Sequence, residues 1–208
     1  MTANFASTSK LSVSIRGNGN VTLDHADGLY QPNETATLHA EPLIGWSFIG
    51  WGSALSGSNP DATLPMETSK AVVANFTMTR ENWTASCFRI EERANLSLSG
   101  TDADPDADGM PNWREWLQAS DPKSALSRGQ TPTSFDGSDC LFTYTRMECM
   151  PDGYSVSSVA SDDLSHWSLP ITERVIERTD GIETIEVRLD TTDRPQAFFS
   201  VTAQRPSN

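Results

Sequence analysis

The sequence predicts a mainly β fold, in which two small β-domains are joined by an acidic segment and one short helix. Short runs of alternating apolar and polar residues in the first and last thirds of the chain are typical of half-buried strands. Clusters of Gly, Asn, Ser and Pro separate these runs and supply turns. Apolar residues recur at helical spacing in one segment, residues 112–119, directly after the acidic run.

Four segments in the first third of the chain have the alternation of a strand: residues 11–15, 21–23, 35–40 and 71–76. A Gly-Asn-Gly-Asn turn separates the first two of them. Almost no helical periodicity is present here, so residues 10–78 are predicted to form one small all-β unit. The sequence TANFA at residues 2–6 matches VANFT at residues 73–77, which indicates that residues 1–9 are the end of a preceding repeat.

Three aromatic residues, Trp46, Phe48 and Trp51, lie in a Gly-rich run of this unit. If their rings were exposed, they would form a platform for a sugar. The alternation of the run favours packing on the inner face of a strand or bulge instead. We therefore expect core residues here, with a sugar platform as the alternative.

The middle of the chain, residues 79–128, is predicted to be a linker with a dense acidic run and one short helix. Three apolar residues of that helix recur at i, i+3 and i+4 and share one stripe: Trp113, Trp116 and Leu117. We expect this stripe to cover an adjacent β-domain. Upstream, residues 95–100 do not have the pattern of a helix that enters the acidic run.

The last third, residues 129–208, is predicted to form a C-terminal β-sandwich. A Thr, Ser, Pro and Gly-rich stretch at residues 129–138 leads into it, and Pro151-Asp152-Gly153 supplies a turn. Several short strands with regular turns are typical of such a sandwich. Four runs have the composition of strands: residues 141–146, 154–159, 184–189 and 197–203.

The charge of the chain limits its partners. With 28 acidic and 15 basic residues the formal net charge is −13, which argues against nucleic acid and against anionic membrane surfaces. No apolar stretch approaches the ~20 residues of a membrane span, so no membrane insertion is expected. The chain does not open with a signal peptide, and we expect an exported protein to be longer than this sequence.

The three cysteines, Cys87, Cys140 and Cys149, have no CxxC spacing. At most one disulfide can form among them. Cys140 and Cys149 are expected along one extended strand, up to ~30 Å apart, so that pair is not expected to be bonded.

Residues 104–115 fit the calcium-loop pattern D-x-[DN]-x-[DN]-G-x5-E in full. Calcium takes six to eight oxygen ligands at about 2.3–2.6 Å, and alternate spacing lets three Asp carboxylates point inward. Gly109 permits the sharp turn around the ion. A solvated acidic linker is the alternative, but it does not require Gly at the sixth and Glu at the twelfth position. Six ligands are predicted: the side chains of Asp104, Asp106, Asp108, Asn112 (directly or through water) and Glu115, and the backbone carbonyl of Met110.

The loop is expected to be single and structural, because the chain contains no second copy of the pattern. Pro111 occupies the eighth position, where paired loops exchange backbone hydrogen bonds, and it has no N–H group. Asp102 and Asp121 are additional candidate ligands. The loop resembles those of thrombospondin type 3 and dockerin-like repeats.

The first third also resembles a known family, the divergent internalin B-type repeat of bacterial surface proteins. The resemblance covers residues 10–77. It implies a small β-grasp-like unit in a cell-surface or secreted protein, usually without catalytic residues. The residues that carry it are Tyr30, Pro32, residues 37–40, Pro42, residues 45–51, Asn59, Pro60, Met66 and residues 74–76.

The rest of the chain resembles the C-terminal region of large secreted proteins from Verrucomicrobia- and Planctomycetes-like bacteria. The acidic segment, Ser99-Gly100, residues 103–112, Glu115 and Asp121-Pro122, carries one part of this resemblance. In those proteins a small β-domain follows. Its matching positions here are Phe142, Tyr144, Tyr154, Val156, Ser161, Asp163, Leu164, Trp167, Phe198 and Phe199.

No catalytic constellation is predicted. His25, His39 and His166 are scattered, and none lies in a known catalytic motif. Asp162 and Asp163 are a carboxylate pair of the kind that glycosidases use, but adjacent residues in a turn point apart.

These observations predict a non-catalytic, calcium-stabilised accessory or spacer region of a secreted or cell-surface bacterial protein. Calcium is the expected cofactor, and cell-surface or polysaccharide glycans are candidate partners. The alternative function is a carbohydrate-binding module attached to a polysaccharide-degrading enzyme.

Overall fold

The computed structural model describes residues 8–131 and 133–206, and these residues are 45% strand and 10% helix. The prediction of a mainly β fold is confirmed. The chain forms two compact units, the first ending at Thr79 and the second beginning at Arg80. The predicted end of a preceding repeat, residues 1–9, lies almost entirely outside the described residues.

Within its described residues the first unit contains seven strands in two sheets. One sheet has the order β3-β1-β7-β5 and the other β2-β4-β6. Strands β1 and β7 are parallel, and the other pairs are antiparallel. The strands are β1 (Ser9–Arg16), β2 (Gly19–Leu23), β3 (Leu29–Tyr30), β4 (Thr35–Pro42), β5 (Trp46–Ser53), β6 (Asp61–Pro65) and β7 (Lys70–Met78).

The core of the first unit is one hydrophobic cluster that draws on both sheets. Alternate residues of β4 and β7 are buried, because successive side chains of a strand point to opposite faces. Phe76 of β7 is fully buried, and its ring occupies the space beside Gly19. A Cβ atom at Gly19 would lie 2.4 Å from that ring, so only glycine fits there. The fully buried members of the cluster on β4 and β7 are Ala36, Leu38, Ala40, Val72, Ala74 and Phe76.

The aromatic run forms β5, and a β-bulge between Phe48 and Gly50 shifts its register against β7. The extra residue brings Phe48 and Trp51, three positions apart, to the same face. Their ring centroids are 5.2 Å apart in an edge contact. Trp51 is buried and its Nε1–H donates to the Asn59 carbonyl at 2.8 Å, while Trp46 and Phe48 are half-buried against the core. The packing role expected of this run is therefore confirmed.

The second unit begins with three short helices and continues, in its described residues, with six strands. All strand pairs are antiparallel, in the orders β11-β12-β9-β8 and β10-β13. The elements are α1 (Arg80–Cys87), α2 (Leu96–Ser99), α3 (Asn112–Gln118), β8 (Ser134–Asp136), β9 (Asp139–Met147), β10 (Ser155–Ser161), β11 (Thr172–Thr179), β12 (Ile182–Asp190) and β13 (Phe198–Gln204).

Helix α2 corrects the expectation that residues 95–100 are not helical. It is a single turn, and the Asn95 side chain caps it by accepting a hydrogen bond from the Ser97 N–H at 3.1 Å. Such a turn is too short to show apolar periodicity, so the Asn cap is its main sequence signature. Helix α1 was not expected either, because only Trp83 of its eight residues is buried.

The two sheets of the second unit pack face to face. The Phe142 ring of β9 lies 4.7 Å from the Phe199 ring of β13. A polar bridge accompanies this contact: the Glu173 carboxylate of β11 accepts hydrogen bonds from Tyr144 Oη at 3.0 Å and from the Ser158 N–H of β10 at 3.1 Å. Together these contacts form the predicted sandwich.

Helix α3 packs against this sandwich. Leu117 and Trp116 are buried, and the Trp116 ring contacts Tyr154 edge-on at 5.6 Å. Thr145 Oγ1 of β9 donates to the Gln118 carbonyl. Trp113, the third residue of the predicted stripe, is half-buried beneath the Arg205 guanidinium. The helix and the sheets therefore belong to one compact unit.

Cys87, Cys140 and Cys149 form no disulfide with one another in the structure. Among the described residues, the structure contains no helix with the length and apolarity needed to cross a membrane.

Candidate metal centre

The predicted calcium loop connects α2 to α3, and it brings three acidic side chains together. Asp104, Asp106 and Asp108 each place one carboxylate oxygen so that the three oxygens lie within 4.8 Å of one another. The spacing of the sequence pattern is thus realised as a cluster of oxygens. Three carboxylates at this separation repel one another unless a cation lies between them.

The backbone of the loop is wrapped around the same carboxylates. Asp104 accepts hydrogen bonds from the Asp108 N–H (3.2 Å) and the Gly109 N–H (2.9 Å). Asp108 in turn accepts from the Met110 N–H at 2.7 Å. Gly109 has φ +90°, a region that favours glycine. These bonds hold the carboxylates toward the inside of the loop.

Four side-chain oxygens of the loop are buried without a hydrogen-bond partner. They come from four of the six predicted ligands: Asp106 Oδ2, Asp108 Oδ2, Asn112 Oδ1 and Glu115 Oε2. Buried polar oxygens are almost always paired in proteins, and an unpaired one costs about 1–3 kcal/mol, more when charged. A cation bound among them would supply the missing partner.

Glu115 reaches the loop from the first turn of α3 and is fully buried. Burial, together with repulsion from Asp106 and Asp108, raises the pKa of its carboxyl group to about 8. Ser120 Oγ donates to its Oε1 at 3.3 Å, which leaves Oε2 without a partner. Asp106 and Asp108 are thus acidic neighbours of Glu115, although Glu115 is not one of the three residues whose oxygens lie within 4.8 Å of one another.

Asn112 is also fully buried, and its orientation is unambiguous. Its Nδ2 donates to the carbonyls of Leu98 (2.7 Å) and Gly100 (2.8 Å). These acceptors can pair only with the amide nitrogen, so Oδ1 is the atom that remains unpaired. The side chain that the pattern assigns to the ninth loop position therefore presents an oxygen.

Met110 follows Gly109 directly, and its side chain is buried. The two additional candidates, Asp102 and Asp121, are not brought into the cluster of acidic oxygens found among the described residues. Asp102 pairs with Arg205, and Asp121 accepts from the Lys123 N–H at 3.0 Å. They are engaged elsewhere.

Two residues at the loop were not expected from the sequence. Ser120 bonds to Glu115, and Arg128 Nε lies 3.3 Å from Asp108 Oδ2. The Arg128 contact lacks hydrogen-bond geometry, since Asp108 Oδ2 has no hydrogen-bond partner. Neither residue has a spacing that the calcium pattern specifies, so no sequence signal pointed to them.

The donor set fits calcium. Carboxylate and amide oxygens are the hard ligands that calcium prefers, and no sulfur or imidazole ligand is part of the acidic cluster in the described residues. Calcium fits this site because the buried oxygens lack hydrogen-bond partners, and not only because the loop is rich in acidic residues.

Comparison with known protein families finds a match to the first unit. Residues 9–80 match the divergent InlB B-repeat domain. The match spans β1 to β7 and agrees with the resemblance seen over residues 10–77. No curated protein and no solved structure matches the chain. The calcium loop lies outside the matched residues.

The two histidines of the first unit, His25 and His39, take part in structural contacts. His25 stacks on Tyr30 at 4.6 Å between ring centroids, and its Nδ1 lies 2.8 Å from the Leu29 carbonyl. His39 of β4 lies opposite Asp61 of β6, with 2.6 Å between Nδ1 and Oδ1. The His25 contacts stabilise a turn, and the His39 contact joins two strands. Neither contact includes a nucleophile.

The Asp162–Asp163 pair forms a turn in the second unit. Asp163 Oδ1 accepts from the Ser165 and His166 N–H groups, and Oδ2 lies 2.7 Å from His166 Nδ1. The bond from His166 is the main cause that lowers the pKa of Asp163. Asp162 lies beside Arg194 instead.

Proposed function

We propose that the chain is a non-catalytic, calcium-stabilised accessory region of a secreted or cell-surface bacterial protein. The observation that carries the proposal is the set of four buried oxygens in residues 104–115 that have no hydrogen-bond partner, one of which, Asp108 Oδ2, lies 3.3 Å from Arg128 Nε. They come from four different predicted ligands. A solvated acidic linker would expose these oxygens to water.

Calcium binding on this proposal is linked to folding. The ligands come from a loop and from the first turn of α3, so they converge only when that helix is in place. An ion that binds the folded loop and not the unfolded chain stabilises the fold by RT ln(1 + [L]/Kd), which is about 2.7 kcal/mol at one hundred times Kd. The ion also cancels repulsion among four carboxyl groups, those of Asp104, Asp106, Asp108 and Glu115.

The accessory role is supported by the first unit. InlB B-repeat domains occur in surface or secreted proteins. The second unit adds a calcium-clamped β-sandwich, and the formal charge of −13 suits an extracellular protein that tolerates cations. On this proposal the chain spaces, rigidifies or attaches a larger protein.

The experiment is a calcium titration by calorimetry, combined with melting temperatures in calcium and in chelator. We expect one calcium ion per chain and a higher melting temperature with calcium. Asp108→Ala should remove most of both effects, because it deletes one ligand and one backbone acceptor.

Asp152→Ala is the matched control, since it removes the same charge from an exposed turn outside the loop. It should keep the full response to calcium. The absence of any calcium heat, with a melting temperature that chelator does not change, would contradict the proposal.

A further inference from the structure

A cavity of about 300 Å³ lies in the sandwich of the second unit, and none of the six proposed calcium ligands lines it. This volume is at the lower end of the range of small-ligand sites, about 300–1,000 Å³. Its lining divides into a polar group and an apolar group. The polar group is Gln130, Thr131 and Thr133, and the apolar group includes Leu164, Trp167 and Phe198.

The cavity is electrically neutral. Charged residues are 21% of the chain, yet none of the described residues that line the cavity is charged. A charged ligand would find no charged partner among these residues, whereas a neutral ligand needs none. The lining therefore selects an uncharged ligand.

The apolar side of the cavity is open to solvent. The exposed fractions are 57% for Leu164 and 37% for Trp167. Neighbouring large apolar side chains that remain exposed mark interaction sites more often than isolated ones do. An indole ring offers a broad apolar face and one N–H donor at its edge.

The turn that carries these two residues is fixed before any ligand arrives. Leu164 has φ +62°, a left-handed conformation that is rare for a bulky residue. Ser161 Oγ accepts from the Leu164 N–H at 2.9 Å, and Asp163 Oδ1 accepts from the Ser165 N–H at 2.8 Å. A strained backbone conformation at an exposed apolar residue, fixed by these two hydrogen bonds, points to a functional role.

In the polar group of the lining, Thr131 is also held in place by hydrogen bonds. The Thr131 N–H donates to the Thr143 carbonyl of β9 at 2.9 Å, and Thr131 Oγ1 accepts from the Thr143 N–H at 3.0 Å. Gln130 and Thr133 are exposed. Their amide and hydroxyl groups can both donate and accept hydrogen bonds, which is the capacity that a ligand with many hydroxyl groups requires.

We infer that this cavity binds a neutral saccharide. A pyranose ring has an apolar face of C–H groups and a rim of hydroxyl groups, so it can stack on Trp167 while its rim bonds to Gln130, Thr131 and Thr133. An apolar peptide would match Trp167 and Leu164 but would offer few hydrogen bonds to Gln130 and Thr133. The inference is independent of the calcium proposal.

The test is affinity electrophoresis of the full chain in gels that contain one polysaccharide each. Neutral polymers are glucomannan, xylan, galactan and β-glucan, and acidic polymers are polygalacturonate and alginate. We expect retardation by at least one neutral polymer and by neither acidic polymer, both in calcium and in chelator. For the polymer that retards, Trp167→Ala should weaken binding at least about tenfold, as loss of an aromatic anchor does.

Two further variants separate binding from folding. Thr133→Val removes one hydroxyl group at nearly constant volume and should weaken binding without changing the melting temperature. Ile90→Ala is the control, because Ile90 is 80% exposed and does not line the cavity. The inference is overturned if no neutral polymer retards the chain, if Trp167→Ala and Thr133→Val bind like the wild type, or if the cavity retains apolar peptides instead.

Discussion

The carboxyl group of Glu115 is the clearest example of what single residues contribute to the loop. The pattern D-x-[DN]-x-[DN]-G-x5-E predicted its position twelve residues into the loop. Its complete burial and its unpaired Oε2 depend on how α3 packs against the sandwich. The contacts of Ser120 with Glu115 and of Arg128 with Asp108 also arise only in the folded structure. The sequence could therefore predict the ligands but not their environment.

Glu115→Gln provides a test at this position. The variant keeps the size of the side chain and cannot ionise, so the group stays neutral beside Asp106 and Asp108. We therefore expect a melting temperature in chelator at least as high as that of the wild type, together with loss of most of the increase caused by calcium. Differential scanning calorimetry in both buffers measures the two quantities, and an undiminished calcium effect would argue against Glu115 as a ligand.

Asp163 and His166 make a prediction about pH. Their side-chain hydrogen bond lowers the pKa of Asp163 from its usual 3.8 and raises the pKa of His166 from its usual 6.5. The Asp163 contribution to stability is present above pH 3.8 and is lost as pH falls through the lowered value. The His166 contribution is present below pH 6.5 and is lost as pH rises through the raised value.

The pair should therefore stabilise the turn most between about pH 4 and pH 6.5. An NMR titration of the imidazole signals checks this directly. Asp163→Asn should lower the His166 midpoint, while the His25 midpoint serves as a reference and stays unchanged. An unchanged His166 midpoint in the variant would show that this bond does not form in solution.

At the scale of elements, the alternation of apolar and polar residues predicted strands correctly where one face of the strand is buried. Strands β1, β4, β9 and β12 bury alternate residues along part or all of their length and were predicted near their observed positions. Strand β11 was missed because its residues are nearly all exposed, so it has no apolar pattern. Strand β8 was missed for the same reason, because it is short and all three of its residues are exposed.

Strand β5 yields a graded prediction for stability. Trp51 is buried, with a bonded Nε1, and Trp46 is half-buried. Trp51→Ala should cost about 3–5 kcal/mol, the range for buried Trp and Phe truncations, and Trp46→Ala should cost less. Urea unfolding curves give both values. Equal losses for the two variants would contradict the graded prediction. No loss for Trp51→Ala would show that the Trp51 ring is not part of the core.

At the scale of the whole molecule, the proposed calcium loop and the sandwich belong to one compact unit. Arg114 of α3 donates to the Val201 carbonyl of β13, and Thr145 of β9 donates to Gln118 of α3. The helix that carries Glu115 is thus bonded to strands from both sheets. Loss of calcium should reach the sandwich through these bonds.

Hydrogen exchange measured by mass spectrometry tests this coupling. In chelator we expect faster exchange in α3 and in β9, because the helix loses the charge compensation that holds its first turn. Strands β4 and β7 belong to the other unit and should exchange at the same rate in both buffers. Faster exchange confined to the loop, with α3 and β9 unchanged, would mean that the ion acts only locally.

The parallel pairing of β1 and β7 has a consequence for how the first unit bears load. Among the described residues these are its first and last strands, and they are neighbours over Leu11 to Arg16 and Lys70 to Asn75. A pull on the start of β1 and the end of β7 acts along the strands in opposite directions. The hydrogen bonds between them are then sheared together, and none can open before the others as in an unzipping hairpin. We therefore expect the first unit to resist stretching between the start of β1 and the end of β7.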